Sequence, residues 1–353
     1  MKAGRTMQEL AVEIKRQAQN KRDFIAPAPS IRFDVKDGKT AVALEGIKDA
    51  FMPGDTFHDQ VSGYTHIPAV YYRRMLAETP KLLATNVNHW LGQGLKDKRM
   101  IRTLDGKARA FLSDRYRPLD NVDLAEAVMP IIGDRKLEAV STEITERRLY
   151  LKLIDPALNG TIQSRIKDDR IRGGLAISNS EIGFGTLGVS LFIERVVCVN
   201  GLVVEDAIRK FHVGRRTEVD APMEMLRDAT RLADDKAFWM KVQDVVHALL
   251  SVDRFNVVVE RINQAANQET GVKNPVAAVE ELKNRFSLTE TEQGAVLRHL
   301  VDGGDLSQWG VVNAVTRAAS DAEDYDRYDE MERFGGKVLE LPKKDWAAIA
   351  KAN

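Results

Sequence analysis

The sequence predicts an α+β protein, with an antiparallel, β-rich N-terminal part flanked by helices and a mainly α-helical C-terminal part. Three observations carry this. Apolar runs flank Asp37-Gly38 and Asp105-Gly106, dipeptides favoured in tight hairpins. A glycine-rich, strand-like stretch runs from "RGGLAISN" to "VNGLVV". From about residue 221 the period becomes helical, with recognisable caps. The predicted divisions are an N-terminal helix and linker (1–30), an antiparallel α+β domain (31–216) and a helical region with an acidic tail (217–353).

The elements follow in order. Met7, Leu10, Val12, Ile14 and Ala18 recur among basic residues, which predicts an amphipathic helix over 6–22. Pro27 and Pro29 forbid its continuation. "IRFDVKDGKTAVAL" predicts a hairpin. "IPAVYYRRMLAETPKLLATNVNHWL" predicts two helices divided before Pro80. "MIRTLDGKARAFLSD" predicts a second hairpin, and "LDNVDLAEAVMPII" a helix starting at Asp120 or Asn121, with Asp123 and Glu126 near its positive end. "LEAVSTEITERRLYLKLID" alternates as two antiparallel strands joined near Glu146-Arg147. Residues 222–267 show helical periodicity without a strong breaker, and shorter helices follow, capped at Asn274, Thr289 and Ser307.

Composition excludes several function classes. Of the 353 residues, 44% are hydrophobic and 29% charged, the balance of an ordinary globular chain. Net charge is zero, so any electrostatic function must come from segregation of charge. Lys96 to Arg117 holds eight basic and three acidic residues; Asp321 to Glu332 holds seven acidic and one basic. The single cysteine, Cys198, reads as a small buried hydrophobe in a reducing compartment. The N-terminus lacks a signal-peptide core, and no stretch approaches the roughly 20 apolar residues of a membrane span. An intracellular protein with no membrane partner is expected. Asp168-Asp169 is a weak Mg²⁺ candidate, and the six histidines have no metal-ligand spacing. No catalytic residue, metal or cofactor is assigned.

Two stretches suggest a polyanion. If "RAFLSDRYRPLDN" is extended, Arg109, Phe111, Ser113, Arg115 and Arg117 share one face and Ala110, Leu112 and Tyr116 the other. A basic face holding an aromatic suits single-stranded nucleic acid. The alternative is a structural turn in which Arg115 and Arg117 pair with Asp114 and Asp120. "RKFHVGRR" supplies Arg209, Lys210, His212, Arg215 and Arg216, a phosphate-binding cluster or a solvated linker. In "SNSEIGFGTLGVSLFIERVVCVNG" the glycines allow either a close approach to a ligand or the bulges and turns of a bent sheet. Further on, Trp309, Val312, Val315 and Thr316 form a core-facing helix surface. Asn313 lies among them and is expected to be hydrogen-bonded.

The motifs "IPAVYYRRM", "LLATNVNHWL", "RAFLSDRYRPLDN", "SNSEIGFGTLGVSLFIERVVCVNG", "FHVGRR" and "WGVVNAVTRAASD" resemble the phage- and plasmid-encoded proteins grouped as the domain of unknown function 932, over roughly residues 30 to 340. The resemblance implies a mobile-element gene and a cytoplasmic setting in a bacterial host. It implies no activity. The functional expectation is a non-enzymatic protein that binds single-stranded DNA in replication or recombination, with annealing by a homo-oligomer as an extension. Its site would comprise Arg109, Phe111, Arg115, Tyr116, Arg117, Arg209, Lys210, His212, Arg215 and Arg216. The alternatives are a metal-dependent enzyme on nucleic acid or nucleotides, using Asp168, Asp169, Glu181 or His212, and an interaction module whose acidic tail engages a host factor.

Overall fold

Helix α1 (Met7–Asn20) opens the structure with a capping box: Thr6 accepts from the Glu9 backbone, and Glu9 reaches back to Thr6. The computed structural model describes all residues except 1, 3, 96, 165, 167, 198, 199, 205–227 and 353, and for 228–232 the backbone only. Helix α1 buries Leu10 and Ile14 and leaves Val12 exposed. Strand β1 (Arg22–Pro27) follows directly. The hairpin of β2 (Ile31–Lys36) and β3 (Lys39–Leu44) turns at Asp37 and Gly38, whose φ values of 53° and 76° are those of a tight hairpin turn. Strand β4 (Met52–Pro53), α2 (Asp55–Thr65), α3 (Ala69–Glu78) and α4 (Pro80–Gln93) lead to the second expected hairpin, β5 (Lys98–Leu104) and β6 (Lys107–Ser113).

These elements form a four-stranded sheet, β1-β5-β6-β4, beside the β2-β3 hairpin. Their core includes Phe33, Phe57, Tyr72, Leu83, Ile101 and Phe111. Buried His58 bonds the Tyr72 hydroxyl at 2.9 Å, and burial pushes its pKa down to about 4. His66 lies apart, in the left-handed C-cap of α2. Asn88 of α4 accepts from the Phe33 N–H and donates to the Phe33 carbonyl, both at 2.8 Å, so a side chain takes the place of a neighbouring strand at the β2 edge. Asn88→Ala is expected to cost about 1–3 kcal/mol by orphaning both backbone groups, measurable by urea unfolding.

The second set begins with α5 (Asn121–Asp134). A wholly antiparallel five-stranded sheet follows: β7 (Glu138–Ile144), β8 (Leu149–Ile162), β9 (Asp169–Asn179), β10 (Gly188–Arg195) and β11 (Asn200–Val204), in the order β11-β10-β9-β8-β7. Then come α6 (Asp228–Leu249), α7 (Val252–Asn267), α8 (Pro275–Phe286), α9 (Glu290–Gly303), α10 (Gln308–Ala318), α11 (Tyr325–Leu339) and α12 (Lys343–Ala350). Asn274, Thr289 and Ser307 cap α8, α9 and α10 as expected. The helical run expected over 222–267 is interrupted at Ser251, which accepts from the Arg254 N–H and starts a new helix.

The cores divide the chain differently from the compositional shift at 216. One apolar core joins residues of α1, α5 and the five-stranded sheet to the helices after 228; the other belongs to β1–β6 and α2–α4. The segment expected as helix and linker is split between them. Helix α11 lies so close to β11 that a Cβ on Gly336 would sit 2.0 Å from the Val203 carbonyl oxygen. Trp309, Val312, Val315 and Thr316 are buried as expected, but Asn313 Oδ1 has no hydrogen-bond partner among the described residues.

Candidate nucleic-acid interface

The stretch 109–117 does not form the continuous basic, aromatic face that alternation predicts. Strand β6 ends at Ser113, and its register with β5 shifts between Arg102 and Thr103, leaving Arg109 as the extra residue of a bulge. Phe111 and Arg109 therefore part company. Phe111, 1% exposed, packs edge-on against Phe57 at 5.7 Å and against Tyr64 at 5.4 Å. It is core and is not free to stack on a base. Arg109 turns to the other side of the sheet, where Nη1 meets Glu181 Oε2 at 3.3 Å and Nη2 donates to the Glu146 carbonyl. Tyr116 is half-buried against Met100, Leu112 and Ile182. Arg117 pairs with Asp234 at 3.1 Å and with Asp235, not with Asp120. Arg115 alone of this set is exposed, with no ion pair among the described residues. Arg209, Lys210, His212, Arg215, Arg216 and Cys198 lie outside the described residues.

The polar residues instead build a hub between the two cores. Arg102 donates to Asp23 at 2.9 Å, to Asp120 at 2.8 Å and to the Glu181 carbonyl at 2.7 Å. Burial works against the Asp120 charge, yet Arg102 and Lys21 hold its carboxyl below the usual range. The Asp120 side chain does not cap α5; Glu181 does so, accepting from the Asn121 N–H at 2.8 Å. Asn179 donates to the Leu119 carbonyl and to Asn121 Oδ1.

From this hub the β9–β10 loop, residues 180–187, reaches the surface. Side chains hold its carbonyls nearly one by one: Tyr116 bonds that of Ser180 at 3.4 Å, Arg102 that of Glu181, Gln60 that of Ile182 at 2.8 Å, and Arg148 that of Phe184 at 2.9 Å. The Phe184 N–H donates to Ser180 Oγ at 3.0 Å. Gly183 and Gly185, with φ of 74° and 136°, make the turn on either side, a conformation that L side chains rarely adopt. The glycines here serve the turn. Its product is a phenylalanine with a fixed backbone, 44% exposed as a residue. The Arg147 guanidinium lies over the Phe184 ring at 4.7 Å from its centre, with no carboxylate in ion-pair range among the described residues.

A family model described as Domain of unknown function (DUF932) matches residues 110–330. The chain belongs to this family. No curated protein and no solved structure matches it. The DUF932 match takes in α5, the five-stranded sheet, the 180–187 loop, Arg147 and Arg148, and omits Arg102 and most of the first core.

The acidic stretch of this DUF932 chain is largely spent inside it. Asp326 accepts from the Tyr150 hydroxyl at 2.9 Å, Asp324 caps α11, Asp321 pairs with Arg298, and Asp329 and Glu332 enclose Lys152. Asp329 and Glu332 are buried, while Asp321, Glu323, Asp324 and Glu330 are exposed. Asp168 and Asp169 point apart: Asp168 is exposed, while buried Asp169 bonds Arg195 at 2.8 Å and the Trp309 indole at 3.2 Å. Glu181 is occupied as above. Among the described residues no three His, Cys, Asp or Glu side chains are grouped to hold a metal ion, and no helix is long and apolar enough to cross a membrane. Sequence reasoning passed over Phe184, Arg147, Arg148 and Gln60. The available signal was an aromatic set between two glycines in "GFG", opposite the paired arginines of "ERR".

Proposed function

We propose that this protein binds single-stranded nucleic acid, in the phage or plasmid replication and recombination that its sequence resemblance implies, through the loop that carries Phe184. One observation supports this above the others: Phe184 has its N–H and C=O both bonded while its ring stands in solvent beside Arg147. A fixed aromatic next to a cation is what stacking on an unpaired base requires. Folding has already restricted the loop, so little further order is lost on binding. Exposed Arg115 precedes Tyr116, whose ring lies against Gly183, and adds a cation to this part of the surface. The interface therefore keeps one residue of the face expected from the sequence and replaces its aromatic.

The test is a gel-shift titration of the full chain on a labelled single strand at low salt. Retardation at micromolar protein is the expected result. No shift under these conditions would contradict the reading.

A further inference from the structure

We infer that this site recognises the unpaired base rather than the phosphate chain, one nucleobase lying on the Phe184 face opposite Arg147. The inference rests on the single-strand reading above and concerns what is bound there. It follows from counting which cations near the loop are free. Arg109 is held by Glu181 and Arg117 by Asp234 and Asp235. Arg148 spends its donors on the Phe184 carbonyl and on Ser178 Oγ. Arg73 is bound to Asp55 and Asp59. Arg115, Arg147 and Arg148 have no ion pair among the described residues, Arg148 being held by neutral acceptors alone.

Negative charge also faces the loop. Glu146 is exposed beside Arg147. Asp55 at the start of α2 is held below its usual range chiefly by Arg73, with a longer-range share from Arg147. Three unpaired cations, one of them bound in place by the loop backbone and with Glu146 beside them, make a weak phosphate track. On single strands each neutralised phosphate contributes about −0.7 to the slope of log K against log salt, so the three account for at most about −2.1. The ring is the larger asset. Stacking of one base on an aromatic is worth about 1–3 kcal/mol, a factor of roughly 5 to 150, and tolerates any base. The interior of a duplex offers no such free face, so single strands are preferred even though their phosphates are sparser.

The experiment measures anisotropy of labelled oligo-dA, oligo-dT, an abasic oligomer of the same length and a hairpin closed at both ends by non-nucleotide linkers, with the wild-type chain, Phe184→Ala and Phe184→Trp. Oligo-dA should bind most tightly, since purines stack best, and the abasic oligomer and the hairpin much more weakly. Phe184→Ala should lose roughly 5- to 150-fold on oligo-dA with its thermal midpoint unchanged, and Phe184→Trp should restore binding. Replacing Arg115 and Arg147 together by serine should flatten the salt slope by about 1.4. Abasic binding as tight as oligo-dA, or a Phe184→Ala chain that binds oligo-dA as wild type does, would overturn the base-directed inference and leave the single-strand reading standing. Wild-type protein that binds none of the single strands would overturn both.

Discussion

Lys152→Met is expected to destabilise the protein by about 3–5 kcal/mol, the usual cost of removing one partner from a buried ion cluster. Lys152, with a side chain 1% exposed, projects from β8 toward α11. There it meets Glu332 and, at 3.2 Å, Asp329; the Tyr328 ring lies 4.1 Å from its ammonium. Burial opposes the Lys152 charge, but Glu332 and Asp329 hold the amine above its usual range. Asp329, supported also by Arg333, is lowered to about 2 against its burial. For Glu332 burial wins over Lys152, and its carboxyl is raised.

Without Lys152, Glu332 loses its hydrogen-bonded cation and takes up a proton in the folded state. A carboxyl with a folded pKa above its unfolded one binds more protons when folded, so stability falls as pH rises through that window. The deficit of Lys152→Met should therefore be larger at about pH 8 than at about pH 5 in urea unfolding. Adding Glu332→Leu should recover much of it, since the uncompensated carboxylate is then gone. A loss below about 1 kcal/mol, or one independent of pH, would show that this cluster is not a closed ion network.

The second large effect is expected at Glu181. Its replacement by alanine removes the acceptor at the α5 N-terminus, worth about 1 kcal/mol, and leaves Arg109, 11% exposed, without its carboxylate. Together these should cost about 3 kcal/mol or more. Because Glu181 stands at the root of the 180–187 loop, single-strand affinity should fall as well. Glu181→Gln retains an acceptor for the Asn121 N–H and should cost less in thermal unfolding. Equal losses for the two substitutions would mean that the carboxylate facing Arg109, and not the cap, carries the effect.

What could be read from the sequence was local. Asp-Gly turns, the caps Asn274, Thr289 and Ser307, and alternation in β7 to β10 depend on a few neighbouring residues, and the structure contains them. Family membership was legible for a similar reason, since idiosyncratic motifs survive without any knowledge of contacts. Strand β1, helix α2 and the break at Ser251 were not. Helix α2 starts on Gly54 with no side-chain cap, and its polar sequence gives a weak apolar stripe. The proposed surface failed at Arg109 because a bulge is fixed by the partner strand, and one extra residue reverses which face a side chain takes. Charge was misread for the same reason. Arg117 finds its carboxylates at 234 and 235, and Lys152 finds Glu332 across 180 positions, distances that no local window covers. Phe184 lay inside a motif whose glycines drew attention away from the ring they display.

Nucleic acid is expected to meet this chain at the tip of the β9–β10 loop. Ultraviolet crosslinking to a single strand, followed by identification of the modified peptide by mass spectrometry, tests it most directly. The account predicts that the principal crosslink falls on Phe184. Efficient crosslinking confined to peptides distant from residues 180–187 would contradict it.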